Sequence, residues 1–351
     1  CKTGGTGSFA IDNVSVKEVL GQEVVPDSGC GSWLFEPQST NLITQSELFS
    51  DASWADVGLT INNNASVSPE GASNATKIIA TTANSRHELK TSLATANGTD
   101  MVSCFVKKSG YNYVQIASWA NPANYVNFDL TNGSVGSIGT TPPTNYGIKD
   151  YGNGWYRIYA NVQASGGGTV GIGIVTSASA GWAQSFIGNG IDGIEIWGAQ
   201  IEAGNISSYI PTSGSQVTRN QDLCTNGGSL ASINSTEGVL YAEIAALVND
   251  GSNRVIQLSD GSNSNRIFIA YWSASNEIRM LVQVGGVIQA FSGNTSYDIL
   301  DFNKIAFKYK ENDFALWING TEVITDTSGI TFPIGTLNEL DFVSGTSANF
   351  F

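Results

Sequence analysis

Histidine, methionine and charged side chains are all scarce in this sequence. Its 351 residues include one histidine, two methionines and 13% charged residues, against about 25% charged residues in an average globular chain. The single histidine, His87, excludes any catalytic or metal-binding scheme that requires two histidines. No apolar run approaches the roughly 18 residues that a membrane-spanning helix needs, so no membrane span is expected.

The charge that is present is mainly negative. Sixteen Lys and Arg residues stand against 30 Asp and Glu residues, which gives a formal net charge of −14 at pH 7. An acidic surface repels phosphate backbones, so nucleic acid is not an expected partner. The four cysteines, at positions Cys1, Cys30, Cys104 and Cys224, form no C-x-x-C pair, which argues against a zinc or redox motif. Cys104 lies in an apolar run and is expected to be a small buried side chain.

Glycine and short apolar runs are what the sequence has in abundance. It contains 40 glycines, and brief stretches of β-branched and aromatic residues recur between Gly, Asn, Ser and Asp clusters without a sustained helical period. This pattern predicts an all-β fold built from antiparallel sandwiches. The pairs Gly285-Gly286 and Asn319-Gly320 predict two hairpins, because such turns need a positive φ that Gly and Asn adopt readily.

A segment without apolar periodicity divides the chain. Residues 213–234 are rich in Gly, Ser and Asn and are predicted to be a linker. We therefore expect one sandwich at 32–212 and another at 235–351, preceded at 1–31 by the end of a further β-module and its linker.

A short motif that occurs twice supports the preceding module. Ile11-Asp12-Asn13-Val14-Ser15-Val16 and Ile191-Asp192-Gly193-Ile194-Glu195-Ile196 share the pattern Ile-Asp-x-(Val/Ile)-x-(Val/Ile). The second copy is predicted to close the first sandwich, so the first copy is predicted to close an earlier one. A single strand cannot bury its apolar face alone. Residues 9–19 are therefore expected to pair with an upstream module, another subunit or the particle that carries them.

Four motifs of the first predicted sandwich occur together. They are Asn41-Leu42-Ile43, Phe105-Val106-Lys107-Lys108, Gly152-Asn153-Gly154-Trp155-Tyr156-Arg157 and Ile194-Glu195-Ile196-Trp197-Gly198-Ala199-Gln200-Ile201-Glu202. In this combination the segment resembles carbohydrate-binding-like jelly-roll modules of bacteriophage tail and virion proteins and of secreted bacterial polysaccharide-degrading enzymes. The resemblance implies a jelly roll in which Trp155 and Trp197 face the core between the sheets.

Three further motifs follow residue 236. They are Glu237-Gly238-Val239-Leu240-Tyr241-Ala242-Glu243, Lys304-Ile305-Ala306-Phe307-Lys308-Tyr309 and Phe314-Ala315-Leu316-Trp317-Ile318-Asn319-Gly320. With them this part of the chain resembles a concanavalin-A-like, laminin-G-type lectin sandwich, and the tandem is similar to phage structural proteins. The resemblance leaves the ligand open, since this fold hosts binding modules, enzymes and spacers. The domain is expected to be C-terminally incomplete, because it stops at Asn349-Phe350-Phe351 where such domains continue with a final strand.

Aromatic side chains in polar surroundings are the candidate carbohydrate-binding residues. Trp119, Tyr125 and Trp182 lie among Ala, Asn, Pro and Ser, and Tyr271 and Trp272 end a predicted strand. Sugar rings stack on flat aromatic faces, and binding residues concentrate in loops. The alternative for all five is that they pack at the ends of the sandwiches or contact a neighbouring subunit.

A structural calcium ion is the candidate cofactor. Asp192 occupies the closing-strand position that jelly-roll modules of this kind use, and Glu47 or Asp51 is the candidate for the other side. Carboxylate oxygens are ligands that Ca²⁺ prefers. The alternative is that Asp192 is an uncoordinated turn residue.

Catalysis is not expected. A glycosidase needs two carboxylates facing across one cleft, and spacing in an all-β chain cannot assign such a pair from the acidic candidates Glu88, Asp129, Asp192, Glu195 and Glu243. A polysaccharide lyase would need a Tyr/His/Arg group, and His87 in its polar run reads as a surface residue.

The sequence therefore predicts a non-enzymatic structural and adhesive protein of a phage virion, in a tail, fibre or capsid decoration. Its expected partners are host-surface polysaccharide or glycan and other virion subunits or copies of itself. The expected location is the virion or another extracellular setting. Two alternatives stay open: the accessory carbohydrate-binding region of a secreted bacterial polysaccharide-degrading enzyme, and a bacterial surface adhesin.

Overall fold

The computed structural model describes residues 36–92, 99–163, 168–222, 227–249, 251–344 and 347–348. These residues divide into two compact units, one of 38–221 and one of 222–348 together with 36–37. The predicted closing strand at 9–19, the terminal phenylalanines and Cys1, Cys30 and Cys224 lie outside the described residues. The described part contains β-strands and no helix, and hence no helix that could span a membrane.

The strands of the first unit form two facing antiparallel sheets. They are β1 (Ser39–Asn41), β2 (Ala55–Val57), β3 (Leu59–Ser66), β4 (Ala75–Ala80), β5 (Asn84–Ser85), β6 (His87–Ser92), β7 (Thr99–Ser109), β8 (Tyr113–Ser118), β9 (Tyr125–Asp129), β10 (Ser134–Ile138), β11 (Tyr146–Asp150), β12 (Trp155–Gln163), β13 (Thr169–Val175), β14 (Phe186–Ile187), β15 (Gly193–Ala203) and β16 (Val217–Arg219). Sheet I has the strand order β10-β9-β8-β13-β6-β2, and sheet II has the order β11-β12-β7-β15-β4-β3. The short pairs β1-β16 and β5-β14 complete the unit.

Alternate residues of both sheets fill a shared core. Val114 and Ile116 from sheet I meet Ile158 and Ile196 from sheet II, and all four are fully buried. Burying one such side chain contributes about 1.5–3 kcal/mol, so the two sheets hold each other in place. Cys104 lies in the same core at 0% exposure, as predicted, and burial raises the pKa of its thiol to about 12.

The motif tryptophans are buried, but not where the resemblance placed them. Trp155 and Trp197 form a cluster with Phe105 on the outer face of sheet II, whereas Ile196 points into the core. Successive residues of a strand alternate between faces, so Trp197 must point away from that core. The ring of Tyr209 covers Trp197, with ring centroids 4.7 Å apart. The prediction that both tryptophans lie between the sheets was therefore wrong, although both are 4% exposed or less.

The second unit is also an antiparallel sandwich. Its strands are β17 (Glu237–Ile244), β18 (Arg254–Ser259), β19 (Arg266–Tyr271), β20 (Ile278–Val284), β21 (Val287–Asn294), β22 (Asn303–Lys310), β23 (Phe314–Ile318), β24 (Thr321–Asp326), β25 (Glu339–Asp341), β26 (Val343–Ser344) and β27 (Ser347–Ala348). Sheet III has the order β17-β22-β23-β24, and sheet IV has the order β21-β20-β19-β18-β25. Buried residues such as Ile269, Met280 and Phe307 form the core between them. The all-β prediction of two antiparallel sandwiches is confirmed.

Both predicted hairpins are present. Gly285 and Gly286 join β20 to β21 with φ angles of 56° and 82°, and Asn319 and Gly320 join β23 to β24 with φ angles of 52° and 83°. Two consecutive positive φ angles are typical of the tight turn that matches the twist of paired strands. The turn residues thus fix the register of both hairpins.

The predicted linker at 213–234 is not free of secondary structure. It contains β16, which pairs with β1 through the directly opposed residues Thr40 and Thr218. The hydroxyl oxygens of these two threonines lie 2.8 Å apart. A three-residue strand is too short to show a periodic pattern, so it could not be predicted from the sequence.

Candidate functional site

β13, near the middle of sheet I, carries only glycines at two successive positions of its outer face. In β13, Val170, Ile172 and Ile174 point into the core and are at most 1% exposed. Gly171 and Gly173 alternate with them and therefore lie on the opposite face. The sequence Val-Gly-Ile-Gly-Ile thus builds one apolar face and one bare face into the same strand.

Directly opposed residues form two rows across this outer face. One row is Tyr125, Ala117, Gly171, Lys90 and Ala55, and the other is Asn127, Gln115, Gly173, Glu88 and Val57, running from β9 through β8, β13 and β6 to β2. A glycine stands in the middle of each row, with Ala117 or Gln115 on one side and Lys90 or Glu88 on the other. The rows therefore form a shallow trough across the strands, and the segment 180–183 lies over it, so that Gly171 and Gly173 are buried.

Two of the predicted aromatic residues meet beside this trough. Trp119 follows β8 and Trp182 lies before β14, and their ring centroids are 4.8 Å apart in an edge-to-face arrangement. The indole nitrogen of Trp182 donates a hydrogen bond to the carbonyl oxygen of Ser118 at 2.9 Å. Both rings are half-buried, so each keeps part of its surface open to solvent. The structure thus brings together two residues that are 63 positions apart in the chain.

Buried amides hold the segment that carries Trp182. Gln115 Oε1 accepts a hydrogen bond from the backbone N–H of Ala183 at 2.7 Å, and Asn127 Nδ2 donates to the carbonyl oxygen of Ala180 at 2.6 Å. Both amides are at most 2% exposed. These hydrogen bonds hold the segment that carries Trp182 against the outer face of sheet I.

Two cations lie against the Trp119 ring. The guanidinium carbon of Arg86 is 4.3 Å from the centroid of this ring and 5.7 Å from that of Trp182, and Lys90 Nζ is 4.6 Å from the Trp119 centroid. Cation–π contacts contribute about 0.5–2 kcal/mol each, depending on solvent exposure. They restrict the orientation of the Trp119 ring and place positive charge around it.

A buried carboxylate completes the group. Glu88 is 4% exposed, and burial raises the pKa of its carboxyl above the usual range, opposed by the positive charges of Arg86 and Lys90. Among the described residues, Glu88 Oε1 and Trp119 Nε1 have no hydrogen-bond partner. A buried polar atom without a partner costs about 1–3 kcal/mol. Both atoms are closed off from solvent, so a ligand outside the protein does not reach them in this structure.

Gly171 makes room for both of these side chains. A Cβ atom at this position would lie 2.9 Å from Glu88 Oε2 and 3.1 Å from Trp119 Nε1. Real Cβ atoms rarely approach so closely, so only glycine lets the carboxylate and the indole edge converge over β13. The adjoining cavity, lined also by Gln115 and Gly173, measures about 10 Å³, room for about one water molecule. We call Arg86, Glu88, Lys90, Trp119 and Trp182 the Trp119 site.

The other predicted aromatic residues lie elsewhere. Tyr125 is half-buried on the same face of sheet I, but on β9, in the row that also contains Gly171. Tyr271 is fully buried and its hydroxyl donates to the carbonyl oxygen of Ile244 at 2.8 Å. It therefore belongs to the core of the second unit, and its prediction as a sugar-binding residue was wrong. Trp272 stacks on Phe268 with ring centroids 5.7 Å apart.

His87 is not a surface residue. It is 1% exposed and points inward from β6. Its Nδ1 lies 2.6 Å from the carbonyl oxygen of Gly58, and its Nε2 lies 2.9 Å from that of Phe186. The imidazole thus bridges two backbone segments and takes no part in the Trp119 site. His87 lies two positions before the core residue Leu89. Residues two apart on a strand share a face, so the strand period predicts that His87 points inward.

The three candidate calcium ligands are not brought together. The carbonyl oxygen of Asp192 accepts from the backbone N–H of Ala80 at the end of β4, whereas Glu47 Oε2 accepts from Asn74 Nδ2 just before β4 begins. The length of β4, roughly 17 Å, separates these two contacts. Asp51 accepts a backbone N–H two residues ahead at 2.8 Å. Within the described ranges, no group of three His, Cys, Asp or Glu side chains is arranged to hold a metal ion.

Comparison with known proteins adds little to this picture. No family model matches the chain, and no curated protein matches it. Among solved structures, sheep galectin-11 in complex with glycerol is similar to 30% of this chain over 88% of its own length, with 13% identity and a TM-score of 0.21. The LG4-5 domains of the mouse laminin alpha1 chain are similar to 92% of this chain over 89% of their own length, with 10% identity and a TM-score of 0.25. Both the identities and the TM-scores are low. The assignment of the fold and of the candidate site therefore rests on this chain's own strands and side chains.

Proposed function

We propose that this chain is a non-enzymatic adhesive protein that binds carbohydrate through the Trp119 site. The observation that carries the proposal is the pair of partly open indole rings of Trp119 and Trp182, with Arg86 and Lys90 against the Trp119 ring. A sugar presents C–H groups that stack on aromatic faces and hydroxyl groups that both donate and accept hydrogen bonds. A sugar can therefore stack on the open part of an indole ring while its hydroxyl groups accept hydrogen bonds from Arg86 and Lys90.

The charge around the Trp119 site favours a glycan over other ligand classes. Arg86 and Lys90 offer donors next to a carboxyl, a mixture that suits the hydroxyl groups of neutral sugars and the carboxylates of acidic ones. Two cations are far too few to overcome a formal net charge of −14 for nucleic acid.

The residues around Glu88 support a binding role rather than a hydrolytic one. A glycosidase needs a second carboxyl across the cleft from the first. The residues directly opposed to Glu88 are Gly173 on β13 and Val57 on β2, and Gln115 follows on β8. None of them is an acid or a base, so Glu88 is proposed to position the Trp119 site rather than to transfer a proton.

The setting that we propose is a phage virion, as a tail, fibre or capsid decoration, with host-surface polysaccharide as the glycan. The support is the tandem of sandwiches and the motif resemblances of both parts of the sequence. Other virion subunits or symmetry copies are the proposed protein partners. Detection of the chain at constant stoichiometry in purified particles tests this setting separately from glycan binding.

Retention of the full chain on a glycan array tests the binding role. We expect the wild-type chain to bind one carbohydrate class, and Trp119→Ala to reduce that binding at least about tenfold, which corresponds to about 1.4 kcal/mol. Tyr151→Ala is the control, because Tyr151 is an exposed aromatic residue (44%) that follows β11 of the other sheet. Lys90→Met is a second test variant that removes one cation and keeps the indole. Absence of binding by the wild-type chain, or equal binding by the Trp119 variant, would contradict the proposal.

A further inference from the structure

A second aromatic surface lies on the other unit, on the outer face of sheet III. In β17, Leu240 points into the core at 7% exposure, whereas Val239 and Tyr241 are 60% and 57% exposed. On β23, Leu316 is buried in the core and Trp317 is half-buried on the outer face. Apolar side chains thus accumulate on the face of this sheet that points away from the core.

The strand register places two of these rings in one line. Tyr241 on β17, Ala306 on β22, Trp317 on β23 and Glu322 on β24 are directly opposed in succession. Neighbouring strands are about 4.8 Å apart, so the Cα atoms of Tyr241 and Trp317 are separated by roughly 10 Å. The short side chain of Ala306 between them leaves a trough with an aromatic ring on each side.

Charged side chains border this trough and restrict one of its rings. Lys308 Nζ lies 5.6 Å from the Trp317 ring centroid and 2.5 Å from Asp313 Oδ1, so the ring has a fixed cation on one side. Glu322 Oε1 accepts a hydrogen bond from the hydroxyl of Thr325 at 2.5 Å. Aromatic rings between polar side chains are the surface that a sugar chain needs, with C–H groups on the rings and hydroxyl groups at the edges.

We infer that Val239, Tyr241, Ala306, Trp317 and Glu322, here called the Tyr241 face, form a second carbohydrate-binding surface. Its ligand is an extended glycan that runs across the strands, with separate sugar residues stacked on Tyr241 and Trp317. The separation of the rings requires at least two sugar residues, so a monosaccharide contacts only one ring. This inference stands on the second unit alone and does not depend on the Trp119 site.

The size of the apolar surface favours a glycan over a protein partner. Four apolar side chains, some of them half-buried, expose at most a few hundred Å². A stable protein–protein interface buries about 800 Å² on each partner. Charged residues lie on either side of the row that contains Tyr241 and Trp317. The apolar area is therefore limited to this row and is too small for a stable protein interface.

Binding of the full chain to polysaccharides tests the inference. The probes are insoluble cellulose and chitin in pull-down assays and an array of soluble oligosaccharides of increasing length. All measurements use the Trp119→Ala background, so that the first site contributes as little as possible. We expect binding to at least one extended glycan, increasing from the monosaccharide to the longer oligosaccharides.

Two variants and one matched control locate the binding. Tyr241→Ala and Trp317→Leu are each expected to weaken binding at least about threefold, and the double variant about tenfold. Phe302→Ala is the control and should bind like the parent, which is the Trp119→Ala chain. Phe302 has the same 57% exposure as Tyr241 and lies outside the face. Tyr241 is exposed, so its variant should keep the parent's melting temperature even if Trp317→Leu unfolds.

Three results would overturn the inference. The first is that neither the parent nor any variant binds a glycan, and the second is that Tyr241→Ala binds like the parent. The third is a change in molar mass of the Tyr241→Ala variant by light scattering, because that would identify the face as a contact between copies of the chain.

Discussion

Replacement of Gly171 by alanine is the sharpest perturbation of the Trp119 site. The added Cβ would lie 2.9 Å from Glu88 Oε2 and 3.1 Å from Trp119 Nε1, and the backbone of Gly171 lies outside the left-handed region. Alanine therefore brings no backbone strain, but both neighbouring atoms must move. They are the far ends of side chains, so they can turn aside without displacing a strand.

The effect on stability is small because two contributions oppose each other. Overpacking a tight site costs about 1–3 kcal/mol, and alanine is favoured over glycine within a strand by roughly 0.5–1 kcal/mol. The net loss for Gly171→Ala is then about 0–2.5 kcal/mol, which corresponds to a decrease in Tm of at most about 10 °C. The folded structure should persist while the positions of Glu88 and Trp119 change.

Thermal unfolding, tryptophan fluorescence and glycan retention measured together test this prediction. We expect Gly171→Ala to lose binding at least about tenfold, with a shifted emission spectrum and a small decrease in Tm. Gly181→Ala is the matched control, because a Cβ at Gly181 meets no atom within 4 Å. If Gly171→Ala binds glycan as well as the wild-type chain does, the convergence of Glu88 and Trp119 over β13 is not the basis of binding.

Two further predictions concern stability. Trp197→Ala should destabilise the first unit by about 3–5 kcal/mol, because its ring is 4% exposed and packs on Phe105; a denaturant midpoint close to that of the wild-type chain would contradict the outer-face cluster. Glu88→Gln should raise the Tm at pH 7. Burial raises the folded-state pKa of Glu88 above 4.5, so the stability linked to its protonated form is complete below that pH and is lost as pH rises through the folded-state pKa. The difference in Tm from the wild-type chain should therefore shrink towards zero below pH 4.5, and a constant difference from pH 4 to pH 8 would contradict the burial of this carboxyl.

Local patterns in the sequence predicted much of the fold. Hairpins at Gly285-Gly286 and Asn319-Gly320 followed from turn chemistry that depends on two residues only. Alternation within strands also predicts on which face two of the aromatic residues lie. Trp197 follows the core residue Ile196 directly, and Tyr271 lies two positions after the core residue Ile269, so the strand period places the first outside the core and the second inside it.

The composition of the Trp119 site could not be predicted in the same way. Trp119 and Trp182 were singled out by their polar surroundings, but their meeting depends on the pairing of β8 with β13 and on buried amides that anchor the segment of Trp182. Glu88 was one of five acidic candidates that the sequence could not tell apart, since charged residues at the start of a strand are usually solvated. The bare face of β13 was visible in the alternation of glycine with apolar residues, which is the pattern that identifies such a trough.

The most direct test of carbohydrate binding at the Trp119 site follows individual indole groups by NMR. Each tryptophan labelled with ¹⁵N gives one indole N–H signal, and Trp→Phe variants assign these signals. On titration with the best glycan from the array, the signals of Trp119 and Trp182 should shift, while those of the buried Trp155 and Trp197 should stay in place. Unchanged Trp119 and Trp182 signals at a saturating glycan concentration would contradict the account.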